Sequence, residues 1–161
     1  MFAQLADIGF VIGIVQAIKY FNLADPQYAP IVRAVYVFTT LIILAFYYRI
    51  WTVIKGKDEK TTITVPVPPL SAPAGGDSKR TITIMEYDLE ELQKVAKQAL
   101  ISFAIIMTIH SYWGYIQPLI LQSILPYRNL LGSPLFQIHI LGRPTNGVLR
   151  RPWKDPNPFA Q

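Results

Sequence analysis

No cysteine occurs among the 161 residues, which excludes disulfides, zinc-thiolate sites and thiol nucleophiles together. Histidine is almost as scarce: His110 and His139 are the only two, and their separation leaves no metal-spaced cluster. No Gly-rich phosphate loop and no Ser/His/Asp order is present, so neither a cofactor nor an enzymatic reaction is expected. Charge is also sparse, at 16% of residues against 52% hydrophobic. That composition belongs to the membrane class rather than to soluble domains.

The scarce charges are unevenly placed. Residues 98–127 hold no Asp, Glu, Lys or Arg in 30 positions, and a bilayer span needs only about 20 largely apolar residues. A second apolar segment, residues 30–54, has a 15-residue uncharged core between Arg33 and Arg49; both arginines can extend to the interfaces. A third, residues 3–21, is weaker because Asp7 and Lys19 bracket eleven uncharged residues, so it must tilt, thin the bilayer or stop short. It has no preceding basic residue and no small-x-small site after it, which argues against a cleaved signal peptide.

The pattern predicts a mainly α, integral membrane protein with about three transmembrane helices, a β-prone, Pro/Gly-rich extramembrane loop and a basic extramembrane tail. Its membrane domain covers residues 1–127, with apolar segments at about 3–21, 30–54 and 98–125, and its tail covers 128–161. Asp25-Pro26 turns the chain between the first two segments. Lys55, Lys57 and Lys60 end the second, where the loop of residues 55–97 begins. In it, residues 61–67 and 81–85 alternate as short strands around Pro68, Pro69, Pro73 and Gly75-Gly76. Asp88 with Glu91 reads as a capping box starting an amphipathic helix, with Glu90 and Lys94 as an i,i+4 pair.

The last apolar segment carries Gln98, His110, Gln117, Pro118 and Gln122. Pro118 either kinks one span or divides a re-entrant pair, the kinked span being slightly favoured, and Pro126 closes the segment. In the tail, residues 136–140 alternate like a strand and residues 144–147 form a turn. Five basic residues stand there against one acidic. With three crossings the loop and tail fall on opposite sides although both are basic, which the positive-inside rule cannot satisfy. The charges nearest the membrane favour a cytosolic loop; a ribosome- or lipid-binding role for Arg150 and Arg151 favours a cytosolic tail.

A formal charge within a span costs about 2.5–3.5 kcal/mol, so Arg33 and His110 call for explanation. Arg33 either extends to the interface while His110 bonds a backbone carbonyl, or the two join Gln98, Gln117 and Gln122 in a hydrated groove that carries a polar flank of an inserting polypeptide across. A phosphate or other anion pathway would use the same residues.

Asp25-Pro26, Ile31-Val32-Arg33, Tyr87-Asp88-Leu89, His110 before Tyr112, Gln117-Pro118-Leu119, Gln122-Ser123-Ile124, and the run from Ile138-His139-Ile140-Leu141-Gly142-Arg143-Pro144 to Leu149-Arg150-Arg151-Pro152-Trp153-Lys154 together resemble one family. It is the third component of the SRP-independent (SND) targeting pathway, first labelled inorganic phosphate transport proteins. The resemblance implies a multi-pass endoplasmic-reticulum membrane protein that acts with the ribosome and the Sec translocon on nascent membrane proteins, as an insertase with a hydrophilic groove. On that reading Lys55, Lys57, Lys60, Arg143, Arg150, Arg151 and Lys154 are candidate contacts for the ribosome, its rRNA or lipid. A phosphate or anion transporter or channel and a non-catalytic ribosome–translocon adaptor are the alternatives.

Overall fold

The computed structural model describes residues 2–66 and 79–153, with side chains described from residue 8 onward. Val67, Pro68, Pro69, Pro73, Gly75, Gly76 and Lys154 lie outside the described residues. The chain is mainly helical, as expected: α1 (Phe2–Tyr20), α2 (Ala29–Lys57), β1 (Thr62–Pro66), β2 (Lys79–Thr83), α3 (Ile84–Trp113), α4 (Gln117–Gly132) and α5 (Pro134–His139). It divides into two compact units. The first comprises Met1–Phe46 and Ala96–Leu131, the second Tyr47–Val95 and Gly132–Gln161. Among the described residues, two helical stretches, Pro26–Lys57 and Ile84–Trp113, are long and apolar enough to cross a membrane; Ile8–Tyr20 is apolar but shorter.

In the first unit, α1 stops where Asn22 takes a left-handed φ of 52° and the Leu23 N–H reaches back to the Ile18 carbonyl at 3.0 Å, an ending that Asn tolerates better than most residues. Asp25 then caps the single 3-10 turn Pro26–Tyr28, accepting from the Gln27 N–H at 2.9 Å, with Pro26 where a missing N–H is harmless. α2 follows at once.

The direction of α3 and α4 against α2 follows from three contacts. Arg33 meets His110, Tyr36 stacks on Phe103 with ring centroids 5.4 Å apart, and the Thr39 hydroxyl reaches the Ser123 carbonyl at 3.4 Å. Rising numbers on α2 meet falling numbers on α3, so these two helices are antiparallel. α4 starts beside His110 and reaches the level of Thr39 by Ser123, so it runs parallel to α2. Of the two readings the segment allowed, a kinked span, slightly favoured, or a re-entrant pair, the structure has the second: a helical hairpin.

Gly114, not Pro118, makes the reversal. Gly114 has a φ of +69°, open to glycine and strained for other residues, and its N–H caps the His110 carbonyl at 2.9 Å. Pro118 sits in the first turn of α4, where it needs no donor. Pro126 does not close the segment either, since α4 continues through it to Gly132.

In the second unit, β1 and β2 pair antiparallel with Ile63 opposite Ile82 and Val65 opposite Arg80. The second strand ends two residues earlier than the alternation predicts, because a capping box at Thr83 and Glu86 starts α3 there. The Glu86 N–H donates to Thr83 Oγ1 at 3.2 Å and the Thr83 N–H to Glu86 Oε2 at 3.0 Å. Both Thr-x-x-Glu and Asp-x-x-Glu fit the rule, and the earlier one caps the helix. Asp88 thus lies inside α3. Glu90 pairs with Arg80 rather than Lys94, which instead meets Glu91 at 2.5 Å.

The expected strand at 136–140 is helix α5. Ser133 caps it by accepting from the Phe136 N–H at 3.2 Å, and Pro134 occupies its first position. Leu135, Phe136, Ile138 and His139 are buried.

Candidate functional site

In the first unit, a polar chain links α2, α3 and the turn that follows α3. Arg33 Nε donates to His110 Nε2 at 2.7 Å, and His110 Nδ1 lies 3.0 Å from the Tyr115 carbonyl oxygen. An arginine Nε–H can only donate, so His110 Nε2 must accept; Nδ1 then carries the proton and donates to Tyr115. The two residues singled out in the sequence as costly are thus partners, 77 positions apart. His110 is only 4% exposed, and both ring nitrogens are satisfied, as burial of a polar group requires.

Beside this chain a cavity of about 660 Å³ opens between the α3–α4 reversal and the α1–α2 connector. Gln117 and Gln122 line it with Ala24, Ile106, Tyr115 and Leu121. Of the five predicted groove residues, the structure therefore brings together Arg33 and His110 as a bonded pair, and Gln117 and Gln122 as cavity lining next to Tyr115. Gln98 stands apart: it is exposed, and the twelve residues to His110 on α3 put it about 18 Å away along the axis.

The second unit contains a more deeply buried ionic group. Asp88 Oδ1 accepts from Arg151 Nε at 2.6 Å, and Oδ2 accepts from Arg151 Nη2 at 2.5 Å and lies 2.8 Å from His139 Nε2. The side chains of Asp88, His139 and Arg151 are 1%, 3% and 6% exposed. This is the two-pronged guanidinium–carboxylate geometry. His139 Nδ1 is buried without a partner among the described residues. Next to it, the Trp153 N–H donates to the Tyr87 hydroxyl at 2.7 Å, the Trp153 indole N–H donates to the Leu149 carbonyl at 3.1 Å, and the Tyr87 and Trp153 rings meet at 5.2 Å. Three of the stretches that carry the family resemblance converge here, fastening residues 139–153 onto the first turns of α3.

That arrangement corrects the reading of Arg151 as an outward contact, because its guanidinium is spent on Asp88. Lys55, Lys57 and Arg150 are exposed. Lys60 is exposed beside Asp58 at 3.1 Å, and Arg143 donates to Gln137 Oε1 at 2.9 Å while remaining exposed. Sequence reasoning missed the Asp88 group. Its one visible signal was a histidine flanked by isoleucines on both sides, a polar residue placed where burial forces it to find a partner.

A family model described as phosphate transport (Pho88) matches residues 1–161. A Schizosaccharomyces pombe protein described as uncharacterized is 35% identical over 158 residues, covering 97% of this chain and 78% of its own length. SRP-independent targeting protein 3 of Saccharomyces cerevisiae is 28% identical over 157 residues, covering 98% and 84%. Its homolog in S. pombe is 28% identical over 153 residues, covering 94% and 78%. No solved structure matches. With the family model matched from the first residue to the last, and with the relatives the motifs led us to expect, this chain belongs to the Pho88 family.

Proposed function

We propose that this chain is a multi-pass endoplasmic-reticulum membrane protein of the SRP-independent targeting route, acting without a cofactor or an enzymatic step as an insertase for nascent membrane proteins. The observation that carries this reading is the bonded Arg33–His110–Tyr115 chain beside the Gln117 and Gln122 cavity, with Arg33 and His110 on the two helices long and apolar enough to cross a membrane. Polar groups in such surroundings are expensive and lower the barrier for a polar flank that passes them. The likeness to SRP-independent targeting protein 3 supplies the biological setting.

The hairpin supports one orientation. The chain leaves or enters the apolar unit at Phe46, Ala96 and Leu131, and the helix directions put all three points at one end. The basic loop and basic tail then share a side of the membrane, and the conflict with the positive-inside rule disappears. That side is the cytosol, where the exposed Lys55, Lys57, Lys60, Arg143 and Arg150 are available to the ribosome, its rRNA, the Sec translocon or anionic lipid.

The test is insertion of a multi-pass reporter into microsomes carrying the wild-type chain, Arg33→Leu or His110→Leu. Arg33→Leu removes one end of the polar chain and His110→Leu its middle, and each is expected to lower insertion while the protein remains present and folded. Unchanged insertion removes the groove from the mechanism. The family description favours a second reading, an anion carrier, which requires that liposomes containing the purified chain take up phosphate.

A further inference from the structure

Arg33 is bound at one edge and open at the other. Its Nε–H is committed to His110, while the terminal Nη1 and Nη2 groups have no partner among the described residues. Those two groups carry four N–H donors in one plane. Asp25, the acidic residue nearest in sequence, is occupied in capping, accepting from Gln27 and Asn22. The result is an oriented guanidinium, un-neutralised among the described residues, on an exposed helix surface where its neighbour one turn on, Val37, is 38% exposed.

We propose that the open edge of Arg33 binds the phosphodiester of a membrane phospholipid, a reading that rests on the membrane placement given above. The shared chemistry is a tetrahedral phosphate with two oxygens for the two Nη groups, the geometry in which arginine binds phosphate best. Two observations favour a lipid over free phosphate. Arg33 does not line the cavity near it but stands exposed on the surface of α2 one turn from the exposed Val37, where an acyl chain would lie. The exposed Tyr112, Trp113 and Tyr115 sit at the His110 end of α3, and such side chains mark headgroup depth. His110 acts as a positioning residue: by accepting from Nε it turns the other edge of the guanidinium outward.

Native mass spectrometry of the full chain, purified in mild detergent and offered phosphatidylcholine, diacylglycerol or inorganic phosphate, tests this. The wild-type chain should retain one phosphatidylcholine and no diacylglycerol, and millimolar phosphate should not displace it. Arg33→Gln should lower retention about tenfold, as loss of charge-assisted hydrogen bonds implies, while Arg49→Gln retains the lipid. Should Arg33→Gln fail to fold, Arg33→Lys keeps the charge without the two-pronged edge and should also retain less. Equal retention by the Arg33 variants, or equal retention of diacylglycerol, overturns the proposal. Arg33-dependent displacement by phosphate also overturns it, assigning the edge to the free anion. Lost lipid retention with normal reporter insertion leaves this site standing and removes the groove instead.

Discussion

Replacing Asp88 with Asn should lower the thermal midpoint of the detergent-purified chain and open residues 132–153 to protease, with a loss of about 3–5 kcal/mol, the usual cost of breaking a buried ion pair from one side. Asp88 accepts three hydrogen bonds from two residues. Removing its charge leaves the Arg151 guanidinium buried and un-neutralised, and the amide turns an N–H group toward donors. The three side chains are nearly inaccessible to solvent, so water cannot compensate as it does at surface pairs. Apolar replacement of all three residues should recover much of the loss, since a well-packed apolar group often equals a buried ion pair. An unchanged midpoint and an unchanged protease map for Asp88→Asn would mean that the cluster does not hold the tail.

The second large effect is expected at Leu119 on α4, which is fully buried just after the reversal. Leu→Ala in soluble cores costs about 2–5 kcal/mol, partly from transfer and partly from the cavity left behind. Between membrane helices the transfer part shrinks, because lipid tails are as apolar as leucine. Leu119→Ala should therefore cost about 2 kcal/mol, the lower end of that range, and show as a lower thermal midpoint with residues 132–153 still protected from protease. A midpoint equal to wild type would mean that α4 does not pack as the contacts of Thr39 and Ser123 require.

The apolar helices were legible because charge is excluded from long runs, and such runs survive any detail of packing. Arg33 and His110 were also legible one at a time, as costly residues. Their bond was not, because nothing local links residues on two helices so far apart in sequence. The α3–α4 reversal was legible only as one of two options and was assigned to the wrong residue for a definite reason: proline is the louder breaker, yet a proline in a first helical turn costs nothing, and the glycine four residues before it carries the left-handed backbone. Alternation at residues 136–140 resembled a strand, but Ser133-Pro134 just upstream is a helix start, and four of the six residues of α5 are buried around one turn. In the sequence Arg151 reads as a surface charge beside Arg150. Only the fold distinguishes the two, by bringing Asp88 to one of them.

On the membrane placement proposed above, the hairpin also changes what the basic segments mean, since a kinked third span would separate loop from tail and a reversal unites them. Protease protection of tags in residues 71–78 and at the C-terminus, in sealed microsomes, therefore tests the account most directly. Both tags should be cleaved by protease added outside, before any detergent. A tag in either position that stays protected until the membrane is dissolved would contradict the placement of loop and tail together on the cytosolic side.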